Sequence, residues 1–241
     1  MTTIDVSRQL LVAGMNAEKQ RRLGNSHVLV IGAGGLATTA LSYLVMSGIQ
    51  RLTIVDFDTI EASNLHRQTL YTPDDIGKNK AETAKNYLLQ RAPNADIQSI
   101  TVALDQASLS AMIDHYDVVL DCTDSLALSY QLNDIAVCHK KAVIFANAIG
   151  MMGQLFTMIP TETPFSCFRC AWPENVKPPD NHDIIGVMGP VPGVLGSLQA
   201  LQAIKYLSTF CPLENSLLYH VDLRALMVQK IDVPINPACR H

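Results

Sequence analysis

Residues 27–58, HVLVIGAGGLATTALSYLVMSGIQRLTIVDFD, read in turn as strand, glycine turn, helix, strand and acid. That order describes a nucleotide-binding βαβ unit. His27–Ile31 is a short apolar run with the composition of a strand buried on both faces. Gly32, Gly34 and Gly35 follow at once. A turn without β-carbons lets backbone N–H groups approach an anion closely, and a helix starting there adds its positive end. The pattern predicts a helix over 36–47, with Gly48 as its left-handed C-terminal stop. Arg51–Val55 is the second strand, and Asp56 stands where an acid accepts hydrogen bonds from a ribose. The glycine pattern alone suits NAD, FAD, S-adenosylmethionine or ATP alike, so the chemistry has to be read elsewhere in the chain.

Outward from this unit the alternation continues. A short turn begins at Thr72-Pro73, and a helix over 78–92 is stopped by Pro93. A strand over 97–104, a helix over 107–115, a buried strand over 118–122, a helix over 126–140 and a strand over 142–146 come next. Such alternation predicts a Rossmann-like, doubly wound, mostly parallel sheet, with ligands beyond the carboxyl ends of its strands. Residues 8–24 read as a polar arm and helix, with Asn16 as a cap. From Gly150 the texture changes to an antiparallel strand (GQLFTMIP) and a proline-rich irregular stretch over 160–192. A helix over 193–210 and strands over 217–221 and 225–231 complete the chain. No linker intervenes, so 1–241 is expected to form a single domain. Its parts are an N-terminal arm and helix (1–24), a nucleotide-binding part (25–149) and a C-terminal part (150–241) that extends the sheet with antiparallel strands.

With 48% hydrophobic and 17% charged residues the chain can bury a large core, and its formal charge of −4 offers no footprint for nucleic acid or an anionic membrane. MTTIDVSRQ has no apolar signal core. The nearest approach to a membrane span, 187–207, is broken by Pro190, Pro192, Gly193 and Gly196 and carries Gln199, Gln202 and Lys205. A cytoplasmic protein is expected. Its six cysteines then read as reduced thiols or metal ligands.

Three further segments narrow the chemistry. SNLHRQ (63–68) places Arg67 shortly after Asp56, Lys80 opens the next helix, and DCTDS (121–125) ends a buried strand in two acids. A dehydrogenase has no need of two cations facing phosphates. A reaction at the α-phosphate of ATP does, because charge builds on the non-bridging oxygens and the leaving pyrophosphate. Arg67 and Lys80 suit that charge, and Asp124 suits Mg²⁺. Asp124 also suits the N-cap of the helix that follows, whereas Asp121 reads as the residue that ends the strand and orders the loop. A carboxylate nucleophile, with a pKa of about 4, needs no general base at neutral pH.

Arg8-Gln9, GAGGLA, DFD, SNLHRQ, the Lys80 segment, DCTD, CFRC, GVMGPVPGVLGSLQALQAIK and NPAC follow one another in the order seen in the ubiquitin-activating-enzyme-like adenylyltransferases. The chain resembles the ThiF/MoeB/HesA family over nearly its whole length. The resemblance implies adenylation, with Mg-ATP, of the C-terminal glycine of a small β-grasp sulfur carrier ending in Gly-Gly. It further implies pyrophosphate release, a homodimer, a structural zinc and a sulfurtransferase as a further partner. On the same ground Gly32, Gly34 and Gly35 bind the nucleotide and Asp56 the ribose, with Asp58, Gln68 and Ser125 in the same nucleotide-binding set. Ser63, Asn64 and Arg67 line the triphosphate, Arg67 and Lys80 stabilise the transition state, and Asp124 binds magnesium. Arg8 reaches the partner subunit's site, and residues 150–241 supply the zinc site, crossover loop and carrier surface. Thiamine or molybdopterin biosynthesis is the default pathway, the WPEN segment leaning towards thiamine. The alternatives are a member recruited to another carboxylate, a peptide natural product or a tRNA nucleoside, and a non-catalytic binding partner.

Cys167 and Cys170, two residues apart, form half of a zinc site. The family supplies the other half as a second C-x-x-C, but this chain has Cys239 and then ends in Arg240-His241. His241, water or loss of the metal are the alternatives for the fourth position. Cys122 and Cys138 read as buried packing residues, and Cys211 has no assigned role. The loop over 179–183 carries His182 near the place where some thiazole-pathway relatives carry a linking cysteine, so the reaction is expected to stop at the acyl-adenylate or pass it to a separate sulfur donor. Ala37 replaces the third glycine of the turn, which that position tolerates.

Overall fold

The structure, a computed structural model, describes residues 4–174, 186–237 and 239. The elements in chain order are α1 (Ser7–Leu10), α2 (Ala17–Asn25), β1 (His27–Ile31), α3 (Gly35–Met46), β2 (Arg51–Val55), α4 (Lys80–Arg91), β3 (Asp96–Ile100) and α5 (Gln106–Met112). There follow β4 (Val118–Asp121), α6 (Leu126–Cys138), β5 (Ala142–Ile149), β6 (Met152–Met158), α7 (Phe168–Ala171), α8 (Pro190–Ser208), β7 (Leu217–Asp222) and β8 (Met227–Asp232). Short 3₁₀ turns occupy Ala62–Asn64 and Pro73–Asp75.

All eight strands join one sheet in the order β3-β2-β1-β4-β5-β6-β7-β8. The first five are parallel and the last three add antiparallel, as the sequence pattern predicts. β1 is buried on both faces. Val28 and Val30 point into a core shared with α3, α4 and α8, whereas Leu29 and Ile31 point into one shared with α5, α6 and α7. The order reverses at β1, between β2 and β4, and an open parallel sheet binds its ligand beyond the carboxyl ends of the strands at such a reversal.

α3 and α8 cross closely because α8 is small where they touch. A β-carbon on Gly196 would stand 2.0 Å from the Leu36 carbonyl oxygen, and the Thr39 hydroxyl donates to the Gly193 carbonyl at 2.9 Å. Some boundaries differ from the sequence reading. β3 stops at Ile100 rather than 104, because its partner β2 runs out at Val55. β5 continues to Ile149, since β6 folds back against it through a Gly150-Met151 turn. α8 starts at Pro190, three residues early, with proline filling first-turn positions where no N–H is needed. Cys138 is exposed, not buried: it lies one helical turn above half-exposed Asp134, off the face that carries Leu132, Ile135 and Ala136. Among the described residues no helix is long and apolar enough to cross a membrane.

Candidate active site

The glycine turn is shaped by what its missing side chains would strike. Gly32 has φ +91°, and a β-carbon there would lie 2.7 Å from the Cys122 carbonyl oxygen. The turn therefore runs against the 121–125 loop. Gly34 is the N-cap of α3, and a β-carbon on Gly35 would meet Pro192 of α8 at 3.1 Å. The bare first turn of α3 leaves its amides, which have no intrahelical acceptor, for a ligand.

Asp56 holds this turn in place. Its Oδ2 accepts from the Ala33 amide at 2.7 Å and its Oδ1 from the Asp58 amide at 2.8 Å. Burial pushes its pKa up, against the pull of those two amides and of Lys80. Each carboxylate oxygen still has a lone pair for a ribose hydroxyl. Lys80 is the first residue of α4, whose N-cap Asn79 accepts from the Glu82 amide. Only 8% of Lys80 is exposed, and its Nζ lies 3.0 Å from Oδ2 of Asp58, a side chain open to solvent. A buried lysine with one solvent-facing partner can exchange that partner for a phosphate.

The SNLHRQ segment lies between α3 and the start of α8. A β-carbon on Gly189 would stand 2.3 Å from the His66 carbonyl oxygen, and one on Gly35 would stand 3.6 Å from the Arg67 carbonyl oxygen. Arg67 folds back to donate to the Ser63 carbonyl at 3.0 Å and makes no ion pair among the described residues. Asn64 and Gln68 are buried, yet Asn64 Oδ1 and Gln68 Oε1 find no donor among the described residues. Unpaired buried acceptors are costly, and these two fit a ligand that brings hydroxyl or amine donors, as a nucleoside does.

In the 121–125 loop the two acids divide their work. Asp121 is buried and accepts from the Thr123 amide at 3.0 Å, from the Thr123 hydroxyl at 2.8 Å and from the Ser129 hydroxyl. Burial raises its pKa, opposed by Ser129 and Thr123. It orders the loop, as expected. Asp124 does not cap α6; Ser125 does, accepting from the Leu128 amide at 3.3 Å. A β-hydroxyl one position nearer the helix reaches the free amides directly. The exposed Asp124 carboxylate accepts no hydrogen bond from the described residues, so it is open to a cation.

Two residues were given no part in the site by the sequence reading. Fully buried Gln199 of α8 donates to the Asp121 carbonyl at 2.7 Å and to the Ile144 carbonyl at 3.1 Å, and accepts from the Cys122 thiol. Its only signal was a polar residue inside an apolar helix. Tyr71 is also buried, and its hydroxyl donates to the Ala33 carbonyl at 2.7 Å.

Arg8 is not gathered with the others. It is exposed on α1, whose Gln9 donates to the carbonyl of Ser47, at the far end of α3 from the glycine turn. Twelve helical residues put those ends about 18 Å apart. Beside α1 lies an apolar groove of about 340 Å³ lined by Gln9, Val12, Met15, Tyr43, Leu201 and Phe210 among others.

The cysteine cluster lies on the other face of the sheet. Cys167 Sγ is 3.7 Å from Cys170 Sγ and 3.8 Å from Cys239 Sγ, and all three sulfurs lie within 4.8 Å of one another. Tetrahedral zinc with bonds of about 2.3 Å separates its sulfurs by about 3.8 Å, so the spacing fits that ion. The Asn236 amide donates to Cys170 Sγ at 3.3 Å, as a backbone donor does to a ligating thiolate. His241, the sequence candidate for a fourth ligand, and the 179–183 loop with His182 lie outside the described residues.

The family model described as "ThiF family" matches residues 6–241. The Escherichia coli "Sulfur carrier protein ThiS adenylyltransferase" is 40% identical over 202 residues, 84% of this chain and 80% of that protein. The E. coli "Molybdopterin-synthase adenylyltransferase" is 36% identical over 235 residues, 97% of this chain and 93% of that protein. Among solved structures, E. coli MccB with ATP superposes with a TM-score of 0.79 at 25% identity, over 92% of this chain and 68% of that one.

Proposed function

The chain belongs to the ThiF family of adenylyltransferases, and on that premise we propose that it activates the C-terminal glycine carboxylate of a small β-grasp sulfur carrier as an acyl-adenylate. The observation that carries the reading is Lys80, a buried ammonium set at the start of α4 and paired with Asp58, whose amide is held by Asp56, the aspartate that holds the glycine turn. In this mechanism the carrier's carboxylate oxygen attacks the α-phosphorus of ATP. The bond from that phosphorus to the bridging oxygen breaks, and pyrophosphate leaves with the electron pair. Lys80 and Arg67 take up the charge that develops. Asp56 and the amides of Gly34 and Gly35 orient the nucleoside and its phosphates. Asp124 would hold Mg²⁺, which when bound neutralises phosphate oxygens.

The acyl-adenylate goes to a separate sulfurtransferase, and the pathway is thiamine or molybdopterin biosynthesis in the cytoplasm. Zinc on Cys167, Cys170 and Cys239 is structural. Residues 150–241 provide the carrier surface within a single domain, and the protein is a homodimer. The exposed apolar groove beside Arg8, with Tyr43 55% and Leu201 46% exposed, supports a second copy as its cover, which would carry Arg8 to a neighbouring site.

The test is carrier-dependent exchange of labelled pyrophosphate into ATP. Exchange with a Gly-Gly-ending carrier, lost when the terminal glycine is removed, is the expected result. No exchange with any sulfur carrier, but exchange with a peptide or a tRNA, would move the protein to the recruited class. No exchange at all, with ATP or carrier still bound, would make it a binding partner. For Arg8, mixing Arg8→Ala and Arg67→Ala subunits should restore part of the activity that each homodimer lacks.

A further inference from the structure

The mechanism above makes no use of Tyr71. This residue sits between SNLHRQ and α4, and only 6% of it is exposed. Its hydroxyl donates to the Ala33 carbonyl at 2.7 Å and lies 3.2 Å from the Lys80 carbonyl, one proton shared between two acceptors. Those carbonyls belong to the two halves of the phosphate site. Ala33 lies between the glycines of the turn, and its amide is already taken by Asp56. Lys80 opens α4, with its amide taken by the Asp58 carbonyl at 2.9 Å and its ammonium by the Asp58 carboxylate. Among the described residues the phenol is the one direct hydrogen-bonded link between the turn and the first residue of α4.

Burial, with Asp56 and Asp75 nearby, pushes the phenol's pKa up, so the group keeps its proton and remains a donor through the working pH range. Asp56 and Asp58 tie the same two residues by a longer route, through the strand end. A lysine misplaced by even an ångström meets the transition state poorly while still attracting the ground-state triphosphate.

We propose that Tyr71 is a positioning residue for adenylation, fixing the glycine turn that seats the nucleotide at a set distance from the ammonium that meets its phosphates. The inference rests on the adenylation reading, and its test separates the two. Tyr71→Phe keeps the buried ring and removes only the hydroxyl. We expect kcat for pyrophosphate exchange to fall at least tenfold while KM for ATP changes less than threefold. Hydrogen–deuterium exchange at residues 33–37 and 80–84 should quicken at least tenfold, with the rest of the sheet unchanged. Leu109→Ala, a cavity variant on the opposite face of the sheet, controls for general loosening and should leave kcat within twofold.

Unchanged amide exchange in Tyr71→Phe would overturn the clamp whatever the kinetics. A parallel loss of kcat in Leu109→Ala, or a rise in KM matching the fall in kcat, would reduce Tyr71 to a structural role. A wild-type protein that exchanges no pyrophosphate would sink the adenylation reading, and with it the catalytic use of the clamp. The amide-exchange arm would then still decide whether the clamp exists.

Discussion

Gly193 and Gly196 stand one turn apart on α8, yet alanine should act on them in opposite directions. Alanine in a helix interior is favoured over glycine by about 1 kcal/mol. At Gly193 that gain is available, since among the described residues a new β-carbon meets only the Thr39 methyl at 3.7 Å, an ordinary contact. At Gly196 the β-carbon would lie 2.0 Å from the Leu36 carbonyl oxygen and 2.5 Å from the Thr39 hydroxyl. Ordinary contact begins near 3.4 Å, so α3 and α8 have to part by more than an ångström. One of the obstructing atoms is backbone and cannot rotate away. Overpacking of this kind costs about 1–3 kcal/mol and more where backbones collide. With the propensity gain subtracted from the upper end of that range, Gly196→Ala should lose about 2 kcal/mol or more, against a gain of up to ~1 kcal/mol for Gly193→Ala. Urea unfolding followed by circular dichroism measures both. Because α3 also carries the glycine turn, Gly196→Ala should weaken ATP binding in calorimetry, and Gly193→Ala should not. A Gly196→Ala protein as stable as wild type would refute the close crossing. Equal losses in both variants would point to glycine content rather than contact geometry.

Three further outcomes follow from the same structure. Cys167→Ser should lower bound zinc and thermal stability together, while Cys138→Ser, at an exposed position, should change neither; full metal retention in Cys167→Ser would take that thiol off the ligand set. Arg67→Ala should depress turnover far more than ATP affinity, because the guanidinium has no ion pair among the described residues to lose and, in the proposed reaction, meets charge that develops only on the way to the adenylate; equal losses in both would mean simple binding. The Lys78 ammonium and the Thr72 amide and hydroxyl hold the Asp75 carboxyl down to about 2, below the value of about 3.9 in an unfolded chain. A depressed carboxylate stabilises the fold above the unfolded pKa, and that contribution fades as pH falls through about 2. The pair is near the surface, so Asp75→Asn should cost less than ~1 kcal/mol at pH 7. Its urea midpoint should converge on that of wild type in strong acid, and a gap that persisted there would assign the effect to packing.

The βαβ unit over 27–58 was legible because each of its signals is local. β-branched runs, consecutive glycines and a terminal acid act on neighbours in the chain, and they specify strand, turn and helix without reference to anything distant. The alternation that follows implied a parallel sheet for the same reason, since helix-linked strands have few ways to pair. Where a strand ends is less local. β3 and β5 differed from expectation because their lengths depend on partners recruited from other parts of the chain.

The sequence by itself determined the glycine turn, the order of strands and helices and the choice of Cys167, Cys170 and Cys239 as a candidate metal set. It also supplied the residue types gathered around the glycine turn. Only the tertiary structure decided that Cys239, 72 residues from Cys167, stands 3.8 Å from it and that Ser125 rather than Asp124 caps α6. Packing likewise placed Arg8 at the far end of α3 from its own glycine turn and put the Tyr71 hydroxyl between the two halves of the site. The physical reason is range: periodicity and turn chemistry act over a few residues, whereas a hydrogen bond between distant segments exists only once the core has brought their backbones together.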